Sequence, residues 1–272
     1  MHFLFPADPI NPRITDEFFK SQAEILGVEG CSLFSLENQR LTGRLPAGSR
    51  VMYRGWMLNG EEYLLLTGLV EGAGGKMLTS PQQYLNAHYV PNWYPLLSDF
   101  TPETAMFPLE QLNSAGFDLV AELRNLGWGK FFLKDYVKSL KTARGSLIDS
   151  AEDAPEVMAL MEQFRGAIEG GLCVRKWEPG LRDEQRYFIV NGEVRGVTYR
   201  EPDMETLNSV AKRIDSPLFS VDIAYDANGR TRLVEIGDGQ VSDLVNGWTP
   251  ERFKECCVFF EMFDGDRLGA RA

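Results

Sequence analysis

The chain has 272 residues, 44% of them hydrophobic and 17 of them phenylalanine, so it can form a sizeable core and is not a disordered polypeptide. Its length suits one large domain or two closely associated ones. The 28 basic and 39 acidic residues give a formal net charge of −11, which argues against a protein that binds duplex nucleic acid through a basic stripe.

The sequence predicts a cytoplasmic protein. No apolar run approaches the roughly 18 residues of a membrane span, and the opening stretch MHFLFPADPINP lacks the pattern of a secretory signal. The 4 cysteines have no paired zinc spacing, so reduced thiols are the simplest interpretation. With only 2 histidines, histidine-rich metal chemistry is not expected.

The N-terminal part is predicted to form a small parallel α/β unit. The expected elements are strands over 2–5, 31–36 and 50–57 and a helix over 16–26. Thr15 is the expected helix cap. Loops at the carboxyl ends of such strands often bind ligands, which makes Ala7-Asp8 and Arg54-Gly55 weak substrate candidates. Taken singly, each is better explained as an ordinary loop or a surface arginine.

The next stretch gives weaker signals. Residues 63–69 fit either a strand or the end of a helix. The glycine-rich segment 71–76 is followed by Met77 instead of Ser or Thr, so a phosphate-binding P-loop is rejected. A short helix is expected after Ser80-Pro81, and the stretch 90–108, rich in proline and aromatic residues, is interpreted as a connection between two lobes.

A lysine in an apolar strand and a basic loop follow. A helix is predicted over 110–126 and a strand over 128–136, within which Lys134 either snorkels at the strand end or faces a bound anion. The segment after it carries Lys138 and Lys141 and is predicted to be a mobile basic loop. It is either a flap over phosphates or an ordinary solvated loop.

The remaining elements have clear signatures. They are a helix over 149–168, a strand over 172–177, a turn at 178–180, a hairpin of 184–190 and 193–199 around Asn191-Gly192, a helix over 202–213 and a last helix starting at Thr249-Pro250.

A second hairpin is predicted around Asn228-Gly229. If these two residues form the whole loop, Asp222 lies directly opposite Glu235, and the two carboxylates repel each other. A divalent cation with oxygen ligands would relieve the repulsion. A nearby lysine or arginine, or a solvated acidic face, are the alternatives. A loop of another length would remove the argument.

In this order, the pieces resemble the ATP-grasp superfamily. The resemblance rests on the strand with Lys134, the basic loop, the segment VRKWEPG, the hairpin EQRYFIVNGEV and the phrase LVEIGDGQVSDL. It implies an α/β (α+β) fold, with an ATP-grasp domain of two α+β lobes over 101–272 preceded by a small parallel α/β domain over 1–100.

The resemblance also implies roles for individual residues. Catalytic roles fall on Lys134, Arg186 and Arg200. Nucleotide contacts fall on Lys134, Lys138, Lys141, Arg175, Lys176, Trp177, Glu178 and Glu184. Metal binding falls on Asp222, Glu235 and Asp238. The family pattern has Asn two residues after the glutamate, where this chain has Gly237, so Asp238 is considered as a replacement ligand.

The implied activity is an ATP- and Mg²⁺-dependent ligase that joins a carboxylate to an amine or similar nucleophile through an acyl phosphate. Small molecules or peptides are the expected substrates, with no nucleic-acid or membrane partner, and a homodimer is compatible with the resemblance. A phosphotransferase that stops at a phosphorylated product and a binding module without catalysis are the alternatives.

Overall fold

The computed structural model describes residues 1–27, 30–139, 143–197 and 203–269. Strands β1 to β13 span, in order, His2–Pro6, Cys31–Ser35, Arg40–Thr42, Arg50–Tyr53, Lys76–Met77, Thr104–Pro108, Phe131–Asp135, Leu147–Ile148, Gly171–Lys176, Arg182–Val190, Glu193–Gly196, Leu218–Tyr225 and Thr231–Asp238. Helices α1 to α9 span, in order, Lys20–Leu26, Gly60–Gly72, Pro81–His88, Val90–Leu97, Leu109–Leu112, Leu119–Asn125, Ala154–Arg165, Met204–Arg213 and Pro250–Gly269.

The chain forms two compact units, each made of separate stretches of sequence. The first unit contains Met1–Ala87, Gln185–Asp222 and Glu235–Ala272. The second contains His88–Glu184 and Ile223–Val234. The division into domains 1–100 and 101–272 stays a prediction.

The first unit contains a five-stranded sheet in the order β3-β2-β1-β4-β5. Strand β1 is parallel to β2 and β4, and β4 is parallel to β5, as a parallel α/β unit requires. Strand β4 ends at Tyr53, earlier than predicted. The prediction of Thr15 as the helix cap was wrong, because the Asp16 side chain accepts from the backbone N–H of Phe18.

Residues 63–69 belong to a helix, which settles the ambiguity left by the sequence. Asn59 accepts from the backbone N–H of Glu62 at 2.9 Å, and Glu62 accepts from that of Asn59 at 2.7 Å. This reciprocal capping box satisfies two backbone donors that a helix start would leave without partners. Helix α2 therefore begins at Gly60 and buries Tyr63, Leu66 and Val70.

The second unit contains a four-stranded sheet in the order β6-β9-β7-β8. Because side chains alternate along a strand, Leu133 and Val174 face a core that includes Val157 and Met161 of α7. The other face carries Phe132, Lys134, Cys173 and Arg175, which pair across β7 and β9 as Phe132 with Arg175 and Lys134 with Cys173.

Two segments of the second unit differ from the sequence-based expectation. The stretch 90–108 is not only a connection, since it holds α4 and the edge strand β6. Pro91 lies in the first turn of α4, where a missing backbone donor costs nothing. The helix predicted over 110–126 is two short helices, α5 and α6, and Asp118 caps the second through the backbone N–H of Ala121.

The third sheet has the strand order β11-β10-β12-β13. Its first hairpin confirms the prediction, since Val190 pairs with Glu193 and leaves only Asn191 and Gly192 in the loop. Both loop residues have positive φ angles, 50° and 83°, as a type I′ turn requires.

The second hairpin of this sheet has a longer loop than predicted. The backbone N–H of Asp226 donates to the carbonyl of Arg230 at 3.0 Å, so the loop contains Ala227, Asn228 and Gly229. The Asp226 carboxylate accepts from the backbone N–H groups of Asn228 and Arg230 at 2.8 and 2.9 Å. The argument that a two-residue loop sets Asp222 opposite Glu235 was therefore wrong.

The last helix, α9, begins at Pro250, as predicted. Among the residues that the structure describes, no helix is long and apolar enough to cross a membrane.

Candidate functional site

A cavity of about 270 Å³ lies in the second unit. Its apolar lining includes Pro102, Phe132, Leu181, Ala224, Leu233 and Val234. Its polar lining includes five residues that the sequence assigned to nucleotide contacts, namely Arg175, Lys176, Trp177, Glu178 and Glu184. Strand β9 and the segment after it supply most of this polar side. The structure thus brings together residues that lie up to ten positions apart in the sequence.

An ion pair that the sequence did not predict fixes one wall of this cavity. Arg232 donates from Nε and Nη2 to the two carboxylate oxygens of Glu178 at 2.8 and 2.6 Å. Bidentate pairs of this kind are stronger and more specific than single contacts. The side chain of Arg232 is 9% exposed, so the pair is well shielded from solvent. Arg232 precedes Leu233 in β13, but no local pattern identifies its partner 54 residues earlier.

The other wall is fixed by backbone contacts. Lys176 donates from its backbone N–H to the carbonyl of Glu103 and from Nζ to its carboxylate, each at 2.8 Å. The backbone N–H of Trp177 donates to the carbonyl of Lys130 at 3.1 Å. The Trp177 side chain is 38% exposed. The segment after β9 is therefore held at its backbone while its side chains border the cavity.

Lys134 lies on the same sheet face as the cavity residues Phe132 and Arg175. It is only 5% exposed. Burial raises the pKa of the neighbouring Cys173 thiol to about 12, while the charges of Lys134 and Arg175 act in the opposite direction. Two cations therefore act on one position of this face.

The basic loop starts from a tight turn held by Asp135. This fully buried carboxylate accepts from the backbone N–H groups of Val137 at 2.8 Å and Lys138 at 2.5 Å. Its second oxygen accepts from the backbone N–H of Glu169 at 3.3 Å. Lys138 is thereby fixed at its backbone. Lys141 lies outside the described residues.

Arg186 and Asp222 form a bidentate ion pair in the first unit. Nε of Arg186 donates to Oδ1 at 2.8 Å and Nη2 to Oδ2 at 2.5 Å, while Nη1 donates to the carbonyl of Asp243 at 2.9 Å. Burial alone would lower the pKa of the Arg186 guanidinium, but Asp222, with added charge from Glu235 and Asp243, raises it. Arg186 is thus the cation that faces both Asp222 and Glu235. Arg200 lies outside the described residues.

Asp238 lies away from this pair, in a fully buried polar network. Its Oδ1 accepts from the backbone N–H and the side-chain amide of Gln240 at 2.9 and 3.1 Å. The same amide donates to the Tyr63 hydroxyl at 2.8 Å. Among the described residues, no three His, Cys, Asp or Glu side chains come together in a group that could hold a metal ion. A metal-ligand role for Asp238 therefore finds no support in its surroundings.

Gly237 occupies a position with no room for a larger side chain. A Cβ there would lie 3.2 Å from Oγ of Ser242 and 3.3 Å from Oγ of Ser220, and these two hydroxyls are 2.7 Å apart. The asparagine of the family pattern would have to displace this serine pair. The glycine is thus explained by local packing.

Replacing Asp238 with asparagine is expected to make the protein more stable at alkaline pH. Burial raises the pKa of this carboxyl from 3.8 to about 7, so between these values the folded chain holds a proton that the unfolded chain has lost. The stability of the native protein therefore falls as the pH rises through that range. Asparagine stays neutral and keeps the acceptor for Gln240.

Thermal unfolding at pH 5 and pH 8 would measure the effect, by the arithmetic that one pKa unit is about 1.4 kcal/mol. Asp238→Asn should unfold a few degrees higher than the native protein at pH 8, and the difference should shrink at pH 5. The control is Asp149→Asn, which removes a surface carboxylate. An equal pH dependence in the native protein and Asp238→Asn would contradict the prediction.

Comparison with known proteins identifies the fold. Residues 125–255 match the model of an ATP-grasp domain family, the third family of its clade. No curated protein matches the chain.

Similar solved structures extend over almost the whole chain. D-cycloserine synthetase DcsG is 12% identical with a TM-score of 0.62, over 94% of this chain and 98% of that chain. The D-alanine–D-alanine ligase from Coxiella burnetii is 12% identical with a TM-score of 0.64, over 99% and 98%. The ATP-grasp ligase PsnB, complexed with minimal precursor, Mg and ADP, is 15% identical with a TM-score of 0.57, over 94% and 96%. The chain has the ATP-grasp fold, and the resemblance to this superfamily noted from the sequence is confirmed.

Proposed function

We propose that this ATP-grasp chain is a ligase that uses ATP and Mg²⁺ to join a carboxylate to an amine or similar nucleophile. The observation that carries the proposal is the cavity of the second unit, because five nucleotide-contact residues assigned from the sequence border it together. A cavity of about 270 Å³ lies just below the about 300–1,000 Å³ of complete small-molecule sites. This size suits the base of a nucleotide with its phosphates outside.

The cavity has the chemistry that a nucleotide base needs. Its apolar lining, including Phe132 and Leu233, offers flat contact surfaces. Glu184 at its border is assigned to the ribose hydroxyls. Lys134, on the same sheet face, is assigned to the phosphates, since a buried ammonium gains from an anionic partner. Lys138 and Lys141 would add positive charge to the same phosphates.

Asp222 and Glu235 of the first unit are assigned to Mg²⁺, since hard divalent cations prefer carboxylate oxygens. Both oxygens of Asp222 already accept from Arg186, but a carboxylate has about four acceptor positions and can take a further partner. When bound, the ion would neutralise charge on the transferring phosphoryl group. The structure of PsnB with Mg and ADP supports this choice of ion and nucleotide by analogy of fold.

The proposed reaction has two steps. A carboxylate oxygen of the first substrate attacks the γ-phosphorus of ATP, which releases ADP and forms an acyl phosphate. The amine of the second substrate then attacks the acyl carbon, which releases inorganic phosphate and a proton. Arg186 is proposed to hold charge near the reacting groups, together with Arg200. The reaction needs no protein nucleophile, only positioning and charge stabilisation.

Titration of ATP by calorimetry, with and without Mg²⁺, tests the proposal, and Ala224→Leu tests the location of the base. Ala224 lines the cavity and is 2% exposed. Leucine at this position is expected to fill the space and lower ATP affinity by more than about tenfold, which corresponds to about 1.4 kcal/mol. Stability should change little, because the added atoms enter existing space.

The matched control is Ala227→Leu, an exposed loop position of the same hairpin. Tight ATP binding by Ala224→Leu would place the base elsewhere. Failure of the native protein to bind ATP under both conditions would rule out the proposed function. Release of ADP without a second substrate, with a phosphorylated product, would point to a phosphotransferase instead.

A further inference from the structure

A second pocket, of about 440 Å³, lies in the first unit beside strand β11 and the start of helix α9. Its lining includes Arg195, Val197, Trp248, Arg252, Glu255 and Cys256. None of these residues is assigned to the nucleotide or the metal. The pocket combines two guanidinium groups, one carboxylate and an aromatic wall. This composition differs from the apolar lining of the cavity in the second unit.

The backbone before α9 holds Arg252 in place. Its Nη1 donates to the carbonyl of Gly247 at 2.7 Å, which leaves the other guanidinium N–H groups to face the pocket. Gly247 has a φ of 84°, and a Cβ there would lie 3.1 Å from Val197 and 3.7 Å from Nη1 of Arg252. A residue with a side chain at this position would push into the pocket wall.

Arg195 and Glu255 carry opposite charges around one sulfur. Burial raises the pKa of the Cys256 thiol to about 11, Arg195 lowers it and Glu255 raises it. The Arg195 side chain is 28% exposed, and its Nη2 is 3.8 Å from Glu193, near the outer limit of an ion pair. The pocket therefore offers a positive and a negative side within the reach of one small molecule.

The pocket is tied to Arg186. The indole N–H of Trp248 donates to the carbonyl of Arg186 at 3.0 Å. Arg195 pairs directly with Phe188 across β10 and β11, so it is diagonal to Arg186 on the same sheet face. Diagonal positions of an antiparallel pair are about 7–8 Å apart. A ligand in the pocket would lie next to the ion pair of Arg186 and Asp222.

We propose that this pocket binds an α-amino acid in its zwitterionic form. Arg195 and Arg252 pair with its carboxylate, Glu255 pairs with its ammonium group, and Trp248 contacts its apolar part. Building on the proposed function, this amino acid is the amine substrate. Its own carboxylate stays unmodified as an anchor, and its amine, after losing a proton to solvent, attacks the acyl phosphate with release of inorganic phosphate.

Binding of free amino acids by calorimetry tests the inference without any need for turnover. Each common α-amino acid is titrated singly into the native full-length protein, and any that binds is compared with its methyl ester, which lacks the anionic carboxylate. At least one amino acid should bind, and its ester should bind at least about tenfold more weakly, because a charge-assisted contact is lost.

Variants of the pocket locate the site. Arg195→Gln and Arg252→Gln should each weaken binding of the amino acid by at least about tenfold, whereas Arg40→Gln, an exposed arginine of edge strand β3, should not. Arg252 is exposed, so its variant keeps the test valid if Arg195→Gln fails to fold. Absence of amino-acid binding, or binding that both pocket variants retain, would overturn the inference.

ATP titration of the same samples separates the two proposals. If ATP binds and amino acids do not, only the amino-acid pocket is wrong. If amino acids bind as expected and ATP does not, the pocket stands and the proposed ligase function fails.

Discussion

Replacing Glu235 with alanine should abolish the effect of Mg²⁺ on ATP binding and lower ATP turnover by at least about 10²–10³-fold, the loss typical when one group that stabilises transition-state charge is removed. Glu235 is half-buried and acts electrostatically on Arg186. Asp222 would remain paired with Arg186, so the fold should persist. Without Glu235, however, Mg²⁺ would lose one of its two assigned carboxylates.

The measurement is the difference in ATP affinity with and without Mg²⁺, for the native protein and for Glu235→Ala, followed by ADP release at a series of Mg²⁺ concentrations. Glu110→Ala, at an exposed position, is the control for loss of one negative charge. If Glu235→Ala kept the full dependence on Mg²⁺, the carboxylates would serve only to balance Arg186. The alternative of a nearby arginine, left open by the sequence, would then account for the pair.

The two Asn-Gly hairpins show how far local sequence determines a register. Asn191-Gly192 forms a two-residue loop with both φ angles positive, as its sequence predicts. Asn228-Gly229 has the same sequence but follows Asp226, whose carboxylate accepts from two backbone N–H groups of the loop and adds a residue to it. The dipeptide marks a turn, whereas the loop length depends on the preceding side chain.

The sequence placed the strands and the segment that borders the cavity, because periodicity and turn residues are local signals. It did not identify the pair of Arg232 with Glu178 or that of Arg186 with Asp222, whose partners are 54 and 36 residues apart. Such contacts depend on strand order and tertiary packing, which one sequence does not display. The burial of Asp238 was missed for the same reason, since its network reaches Tyr63 of a distant helix of the first unit.

Lys134→Met should lower the affinity for ATP strongly while leaving the affinity for adenosine almost unchanged. Methionine conserves the length and much of the volume of the side chain, and it removes the charge that we assign to the phosphates. Removal of a buried charge-assisted contact typically costs about 1.5–3 kcal/mol, or roughly 10–100-fold in affinity. Adenosine has the base and the ribose but no phosphate, so the lost charge should not affect it.

Lys130→Met is the matched control, because Lys130 precedes the same strand and pairs with Asp149 at the surface. It should bind ATP like the native protein. An equal loss of ATP and adenosine affinity in Lys134→Met would mean that the lysine supports the sheet and not the phosphates. The unfolding temperature distinguishes these cases further. A lysine kept for its anionic ligand is costly to bury in the free protein, so Lys134→Met should be at least as stable as the native chain before ATP is added and should gain less stability from it.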